Sequence, residues 1–221
     1  MLDGSLKNVI LKIEKEKGML ERMGFLSAAE NRGSFFKRIA LLFPPLDPRY
    51  KAIERAYNCA KDAFRGVNRE GGERYFEHIR AVVLILIDYL RVNDYRIIIA
   101  ALLHDIVEDI PSWTIDRVRL EFGEFVARLV EYLTKPSKEE YSSKEERDLI
   151  YHSRFRFAPR NFFLIKLADR LHNILTLGVC TPEKQQRKIT ETRMHYLPFA
   201  EKHLIFYHEL IEAIERFQTS A

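Results

Sequence analysis

The sequence predicts an all-α fold, because apolar residues recur three or four positions apart in nearly every segment and no convincing strand pattern is present. Proline and glycine divide the 221 residues into segments of helical length. A hydrophobic content of 47%, with 31% charged residues, is typical of an ordered globular protein rather than a disordered one. We therefore expect a helical bundle with a buried core.

The first 47 residues are predicted to form a helical extension. It contains a charged amphipathic helix at about residues 6–23 and a second short helix that ends before Pro44, Pro45 and Pro48. The proline cluster indicates a soft boundary. It gives an extension over residues 1–47 and a main domain over residues 48–221.

Two helices of the main domain are predicted to be buried on most sides. One follows the N-cap residue Asp94 and includes the apolar run at 97–103; the other spans residues 161–177 and stops at Gly178. Further helices are predicted over residues 48–64 and 74–90, between 111 and 133, from Ser143 to Pro159 and after Thr181, with Pro198 interrupting the last.

Composition excludes several classes of protein. Lys and Arg outnumber Asp and Glu by 36 to 32, a formal charge of +4 that is too small to require a nucleic-acid partner. Cys59 and Cys180 lie far apart in the sequence, so we expect no disulfide framework. No secretory leader pattern is seen at the first residues, so we expect a cytoplasmic location. The longest apolar run, residues 81–87, is far below the roughly 20 residues that cross a bilayer, so no membrane span is expected.

The strongest local signal is His104-Asp105, followed by Glu108-Asp109, at the end of an apolar helix. Four ionisable groups are costly to bury there unless they are paired or bind a metal. On a continuous helix His104 would lie above Glu108, and Asp105 above Asp109. Imidazole and carboxylate groups suit a divalent ion. For such a pair on its own, the alternative is an exposed helix end with solvated charges.

Two further candidates, His78 and Asp169, each interrupt another apolar helix. Taken singly, His78 can be an ordinary core or surface histidine, and Asp169 can form a local ion pair with Arg170. Their occurrence with His104-Asp105, across three separate helices, favours a shared metal site. Two histidines and two carboxylates would leave positions on a six-coordinate ion open for a water and a phosphate oxygen.

Several segments closely resemble the hydrolase domain of the RelA/SpoT-type alarmone enzymes, which is a helical bundle of the HD-domain class. They are His78, the run AALLHDIVED at residues 100–109, Phe122-Gly123, residues 133–135, the run IKLADRLHN at residues 165–173, and Glu191-Thr192. The resemblance covers roughly residues 63–200 and keeps the order and spacing of the motifs. The Gly-Lys that follows the His-Asp pair in cyclic-dinucleotide HD enzymes is missing here.

The resemblance implies an enzyme similar to a stand-alone small alarmone hydrolase, since the chain has no room for a synthetase domain. Such enzymes remove pyrophosphate from the ribose 3′ position of ppGpp or pppGpp. The implied ligands of one Mn²⁺ per chain, with Fe²⁺ or Zn²⁺ as alternatives, are His78, His104, Asp105 and Asp169. Glu108 and Asp109 are implied to orient or deprotonate the attacking water, which agrees with the general chemistry of metal-assisted hydrolysis.

The resemblance also implies a nucleotide-binding set. Arg69 corresponds to a basic residue beside the guanine, and Asn173 and Thr176 correspond to residues that contact the nucleoside. Each can equally be a surface or packing residue. The basic residues after Thr181, namely Lys184, Arg187, Lys188 and Arg193, can face a phosphate or simply be solvated.

Three departures from the family pattern bear on substrate choice. Ile79 replaces the usual proline after the first histidine, Glu70 replaces a basic or small polar residue, and Leu175 replaces a common arginine. The alternatives are therefore another nucleotide phosphohydrolase (a nucleotidase, a deoxynucleotide triphosphatase or an NADPH phosphatase) and a non-catalytic nucleotide-binding module. The sequence leaves open whether the chain forms a homo-oligomer.

Overall fold

The computed structural model describes residues 18–26, 30–137 and 141–217. Within these ranges the fold is all-α, as predicted, and β-structure is limited to one isolated bridge between Asn68 and Arg74. The helices, numbered in chain order, are α1 (Met19–Arg22), α2 (Arg32–Leu42), α3 (Pro48–Ala63), α4 (Tyr75–Leu84), α5 (Tyr95–Leu102), α6 (Ile106–Asp109), α7 (Ile115–Phe122), α8 (Glu124–Leu133), α9 (Lys144–Ser153), α10 (Arg160–Leu175), α11 (Pro182–His195), α12 (Leu197–His203) and α13 (Tyr207–Glu215).

Several helix ends lie where the sequence predicts them. Asp94 accepts a hydrogen bond from the Arg96 N–H at 2.9 Å and caps α5. Ser143 caps α9, and Thr181 with Pro182 begins α11. Helix α4 continues into a π-helical turn, Ile85–Tyr89, which the periodicity alone does not reveal.

Helix α10 lies at the centre of the bundle, in contact with α4, α5, α8, α11, α12 and α13. Eleven of its sixteen residues are buried. The buried residues of this helix include four polar side chains, Lys166, Asp169, Arg170 and His172. Each of them needs a partner inside the protein, because an unpaired buried polar group is costly.

The described part of the N-terminal 47 residues packs against the main domain. On α2, Phe35 and Phe36 contact the ring of Tyr57 on α3, with ring centroids 4.9 and 5.0 Å apart. The buried Arg80 of α4 donates to the Glu30 carbonyl at 2.9 Å. The domain boundary near residue 48 remains a prediction, and most of the helix predicted at residues 6–23 lies outside the described residues.

One prediction about the apolar helix is wrong. Helix α5 ends at Leu102, and a turn at residues 103–105 separates it from α6. The turn has a physical reason: His104 is fully buried whereas Glu108 is exposed, and a continuous helix would put both on one face. Asp105 still precedes Asp109 by one helical turn, since the Asp109 N–H donates to the Asp105 carbonyl at 3.0 Å.

Neither cysteine is in a disulfide: Cys59 and Cys180 are both free. Among the described helices, none combines the length and the apolar character that a bilayer span requires.

A buried ion pair joins α10 to α11. The Arg170 guanidinium donates two hydrogen bonds to the Glu191 carboxylate, at 3.0 and 3.3 Å, and lies over the Tyr196 ring at 3.8 Å from its centroid. Burial alone would raise the pKa of Glu191, but Arg170, together with His152 and Lys188, holds that pKa well below the ordinary range.

We expect Glu191→Ala to lower the free energy of unfolding by about 3–5 kcal/mol, because it leaves a buried guanidinium without its partner. Denaturant unfolding measures the change. The loss should be full above the ordinary glutamate pKa of 4.5 and should shrink steadily as the pH falls below it, because the unfolded chain then takes up a proton that the folded carboxylate does not.

The matched control is Asp116→Ala, which removes a carboxylate that pairs with Arg119 and is 91% exposed. Its effect should stay below about 1 kcal/mol. Equal losses in the two variants would contradict the role given to Glu191.

Candidate active site

Three elements bring the four predicted metal ligands together. His78 lies on α4, His104 and Asp105 lie in the turn after α5, and Asp169 lies on α10. Candidate ligand atoms of His78, His104 and Asp105 are within 4.8 Å of one another. Asp169 Oδ1 is 3.3 Å from His78 Nε2 and 3.9 Å from His104 Nε2. We call these four residues the quartet.

The hydrogen bonds of the two histidines leave Nε2 facing the quartet. His104 Nδ1 is 2.7 Å from the Ala101 carbonyl, which can only accept, so Nδ1 carries the proton. His104 Nε2 is buried and lies 3.0 Å from Asp105 Oδ2. His78 Nδ1 is 2.8 Å from His172 Nδ1, and in the tautomer in which His78 donates this hydrogen bond its Nε2 keeps a lone pair. Two imidazoles oriented in this way suit a divalent cation.

The two carboxylates of the quartet are held ionised in spite of burial. Burial alone would raise the pKa of Asp105, but the adjacent His104 lowers it to about 2. Asp169 behaves in the same way, with Lys166 and His78 holding its pKa well below the usual range. The two acids overcome the effect of burial on His104 and raise its pKa to about 9. Two carboxylates against one protonated imidazole leave the quartet with a net negative charge, and a divalent ion bound at His104 Nε2 would displace the proton there.

Three side chains beside the quartet had no role assigned from sequence. Lys166 places Nζ 3.1 Å from Asp169 Oδ2, and Tyr75 donates from its hydroxyl to Asp105 Oδ2 at 2.7 Å. His172 forms the contact to His78 described above. For Lys166 and His172 a signal was available, because each is a polar residue three positions from Asp169 in an apolar helix. Tyr75 gave no such signal.

Glu108 and Asp109 lie at exposed positions on α6, just after the turn that carries two of the quartet residues, His104 and Asp105. Glu108 Oε2 accepts a hydrogen bond from the Lys135 N–H at 3.2 Å. The pKa of Asp109 is raised to about 6. The main cause is burial of its carboxyl group, which is partly enclosed although the residue as a whole is exposed, and the second cause is the negative charge of Asp105. The two predicted catalytic acids therefore lie beside the quartet and open to solvent.

Arg69 is presented by a tight loop between α3 and α4. The Arg69 N–H donates to the Glu73 carbonyl at 2.7 Å, and the Gly72 N–H donates to the Arg69 carbonyl at 2.9 Å. Gly72 has a φ of +82°, which glycine adopts without strain. The loop points Arg69 at α10, where its guanidinium donates to Asn173 Oδ1 at 2.7 Å and Thr176 Oγ1 at 3.0 Å.

Arg69 thus contacts both Asn173 and Thr176, and the three predicted substrate-binding residues line a cavity of about 340 Å³. A volume of this order suits a small ligand of nucleoside size. Asn173 also donates from Nδ2 to Asp169 Oδ1 at 2.6 Å, so the cavity adjoins the quartet. Their part in binding a substrate remains a prediction.

The basic residues of α11 divide between two surfaces. Lys184 and Lys188 line the cavity, and Arg187 lies with Lys188 and Lys135 along a neighbouring groove. Lys188 is not simply solvated: it pairs with Glu191 at 3.0 Å, and burial lowers its pKa to about 8. Part of the charged face of α11 therefore forms a wall of the cavity.

The three departures from the family pattern lie in different environments. Ile79 is fully buried in the core, and Leu175 packs against that core. Glu70 lines the cavity itself. Of the three substitutions, only Glu70 presents a new charge to the space where a ligand would lie.

Comparison with known proteins gives several matches to enzymes of one kind. The chain is 38% identical over 159 residues, 71% of its length, to the bifunctional (p)ppGpp synthase/hydrolase SpoT of Escherichia coli K12. It is 37% identical over 150 residues, 68% of its length, to the guanosine-3′,5′-bis(diphosphate) 3′-pyrophosphohydrolase of Aquifex aeolicus. The matches cover 22% and 21% of those two proteins, so the chain spans about a fifth of the length of these curated relatives.

A solved structure shares the fold. The metazoan ortholog of SpoT, described as hydrolysing ppGpp, superimposes with a TM-score of 0.65 at 24% identity, over 75% of this chain and 94% of that one. The family model for the HD domain matches residues 56–206, which contain the whole quartet, both exposed acids and the cavity residues. The chain therefore belongs to the HD domain family.

Proposed function

We propose that the protein is a Mn²⁺-dependent 3′-pyrophosphohydrolase of ppGpp or pppGpp. The observation that carries the proposal is the convergence of the quartet beside a cavity of nucleoside size, with Asn173 hydrogen-bonded to Asp169 between them. The name of the Aquifex relative, a guanosine-3′,5′-bis(diphosphate) 3′-pyrophosphohydrolase, supports the substrate. Mn²⁺ is inferred from the alarmone-hydrolase resemblance, and the histidine and carboxylate donors suit it.

In the proposed reaction, the water oxygen forms a bond to the phosphorus that carries the ribose 3′ oxygen. The bond between phosphorus and the 3′ oxygen breaks, the 3′ oxygen takes up the proton that water loses and becomes a hydroxyl, and pyrophosphate is released. A divalent ion held by His78, His104, Asp105 and Asp169 would lower the pKa of water and neutralise charge on the phosphate under attack.

The remaining steps belong to side chains of this protein. Glu108 and Asp109, exposed beside the quartet, take the proton of the attacking water and orient it. Lys166 and Tyr75 keep the two carboxylates in place through their contacts with Asp169 and Asp105. Arg69, with Asn173 and Thr176, holds the nucleoside so that the 3′ phosphate lies at the quartet.

Asp105→Ala and Asp169→Ala should each abolish binding of one divalent ion per chain, because each removes a charged ligand from a four-residue site. The amount of metal bound per chain is measured after dialysis against Mn²⁺, and circular dichroism checks that the variants are folded. The control is Asp88→Ala, a partly buried carboxylate that pairs with Arg38 outside the quartet; it should keep its metal. Unchanged metal content in both quartet variants would count against the site.

Glu108→Gln and Asp109→Asn should fold, keep metal and bind nucleotide, yet turn over roughly 10²- to 10⁴-fold more slowly, because an amide cannot accept the proton that a carboxylate takes from water. Steady-state kinetics with metal analysis of the same samples checks this. Glu121→Gln, a half-buried acid that pairs with Arg117 on α7, serves as control. Loss of metal in the two variants would instead assign these acids to the coordination shell.

Substrate specificity separates the proposal from its alternatives. Purified protein with Mn²⁺ is incubated with ppGpp, pppGpp, ppApp, NADPH and deoxynucleotide triphosphates, and the products are identified. We expect pyrophosphate only from substrates with a 3′ diphosphate, and none after a chelator is added. Release of phosphate from NADPH or of triphosphate from deoxynucleotides would favour another phosphohydrolase. No product from any substrate would favour a binding module.

A further inference from the structure

Glu70 and Lys184 form an ion pair at the edge of the cavity. Glu70 lies on the loop between α3 and α4, directly after Arg69, and Lys184 lies in the first turn of α11. Lys184 Nζ donates to Glu70 Oε2, and the Cys180 thiol lies 3.6 Å from the same oxygen. The side chains are 43% and 35% exposed, so solvent and a ligand can reach both.

The pair lies where the loop meets α11, whereas the catalytic end of the cavity lies at α10. At that end, Asn173 is hydrogen-bonded to Asp169 of the quartet. Glu70 and Lys184 instead lie with Gly71, Val179 and Cys180 on the wall between the loop and α11. Gly71 packs so closely on Val179 that an added Cβ would lie 3.0 Å from Val179 Cγ2, so the loop is held against this wall.

The cavity therefore has a polar catalytic end and a wall with both apolar and charged groups. Val179, which is 66% exposed, supplies apolar surface, and Glu70 and Lys184 supply an acceptor and a donor next to each other. A purine base combines the same two properties, because it has flat apolar faces and a hydrogen-bonding edge. With the 3′ phosphate at the quartet, a base on the ribose 1′ carbon points away from the metal ligands.

Guanine fits this pair better than adenine does. Its Watson–Crick edge presents O6, which accepts, next to N1–H and the N2 amino group, which donate. A carboxylate accepts from both donors, and an ammonium group donates to O6. Adenine offers one amino donor beside an accepting ring nitrogen, which would face the second carboxylate oxygen. Both observed contacts of Glu70 are to Oε2, and a carboxylate has about four lone-pair sites, so capacity for a base remains.

We propose that Glu70 is a specificity-determining residue: its carboxylate accepts hydrogen bonds from N1–H and the exocyclic amino group of guanine, while Lys184 donates to O6. The assignment rests on the proposed function, since it takes the 3′ phosphate to lie at the quartet. It makes guanine recognition depend on a side chain of the cavity wall that takes no part in the chemistry.

The test compares kcat/KM for three 3′,5′-bis(diphosphate) nucleosides in Mn²⁺, those of guanosine, inosine and adenosine. Inosine keeps O6 and N1–H but lacks the amino group. We expect the wild-type enzyme to prefer guanosine over inosine by roughly 10- to 100-fold, the worth of a hydrogen bond to a charged group. It should reject the adenosine substrate at least as strongly. In Glu70→Ala the guanosine-to-inosine ratio should fall to near 1.

Lys184→Ala is the matched control, because it breaks the same ion pair and removes a different contact with the base. It should slow the guanosine and inosine substrates by the same factor, since both bases carry O6, and leave their ratio unchanged. Dissociation constants for GDP and IDP, measured by calorimetry on the same variants, should follow the same pattern without depending on turnover.

The outcomes separate the two proposals. An unchanged guanosine-to-inosine ratio in Glu70→Ala, or a wild-type preference for the adenosine substrate, would overturn the role of Glu70 while leaving the hydrolase intact. A ratio that collapses equally in Lys184→Ala would also overturn it, because the pair would then act only by shaping the wall. Failure of the wild-type protein to release pyrophosphate from all three substrates would refute the proposed function instead.

Discussion

The structure depends on the compensation of two carboxylates, the half-buried Asp105 and the buried Asp169, at an apolar helical core. Carboxylates in such a place are stable only with charged or hydrogen-bonding partners. Lys166, Tyr75 and Asn173 supply these partners from α10 and from the first turn of α4. The need to meet these charges explains why the central helix carries so many polar residues on positions that packing encloses.

The same compensation gives the site its geometry. Asn173 contacts both Asp169 and Arg69, so one side chain links the charged quartet to the wall of the cavity. A ligand that displaces the Arg69 contact would therefore change the surroundings of Asp169. Three positions before Asn173, Arg170 lines the same cavity and pairs with Glu191, which joins α10 to α11, whose Lys184 and Lys188 also line the cavity. Asn173, which lines the cavity beside the quartet, and Arg170, which joins two helices, are therefore near neighbours on α10.

Glu70 and Lys184, the residues proposed to recognise guanine, lie on the wall between the loop and α11. Arg69 and Glu70 are adjacent in sequence, yet Arg69 contacts α10 and Glu70 contacts α11. A short loop with glycines at positions 71 and 72 allows this divergence, because the backbone can turn sharply and approach Val179 closely. The loop thus connects the two helices that enclose the cavity.

The sequence by itself determined the all-α class, the caps at Asp94, Ser143 and Thr181, and the four residues of the quartet. These follow from local periodicity, cap chemistry and ionisable residues in apolar segments, which are properties of short stretches of chain. The family resemblance added Arg69, Asn173 and Thr176, which the structure brings into contact.

Tertiary structure alone decided how those residues meet. The turn at residues 103–105 replaced a predicted continuous helix, because His104 had to be buried while Glu108 stayed exposed. The contacts of Tyr75 with Asp105 and of Lys184 with Glu70 join residues 30 and 114 positions apart. No local pattern encodes such pairs, since they form only when the helices pack and each buried charge must find a partner in space.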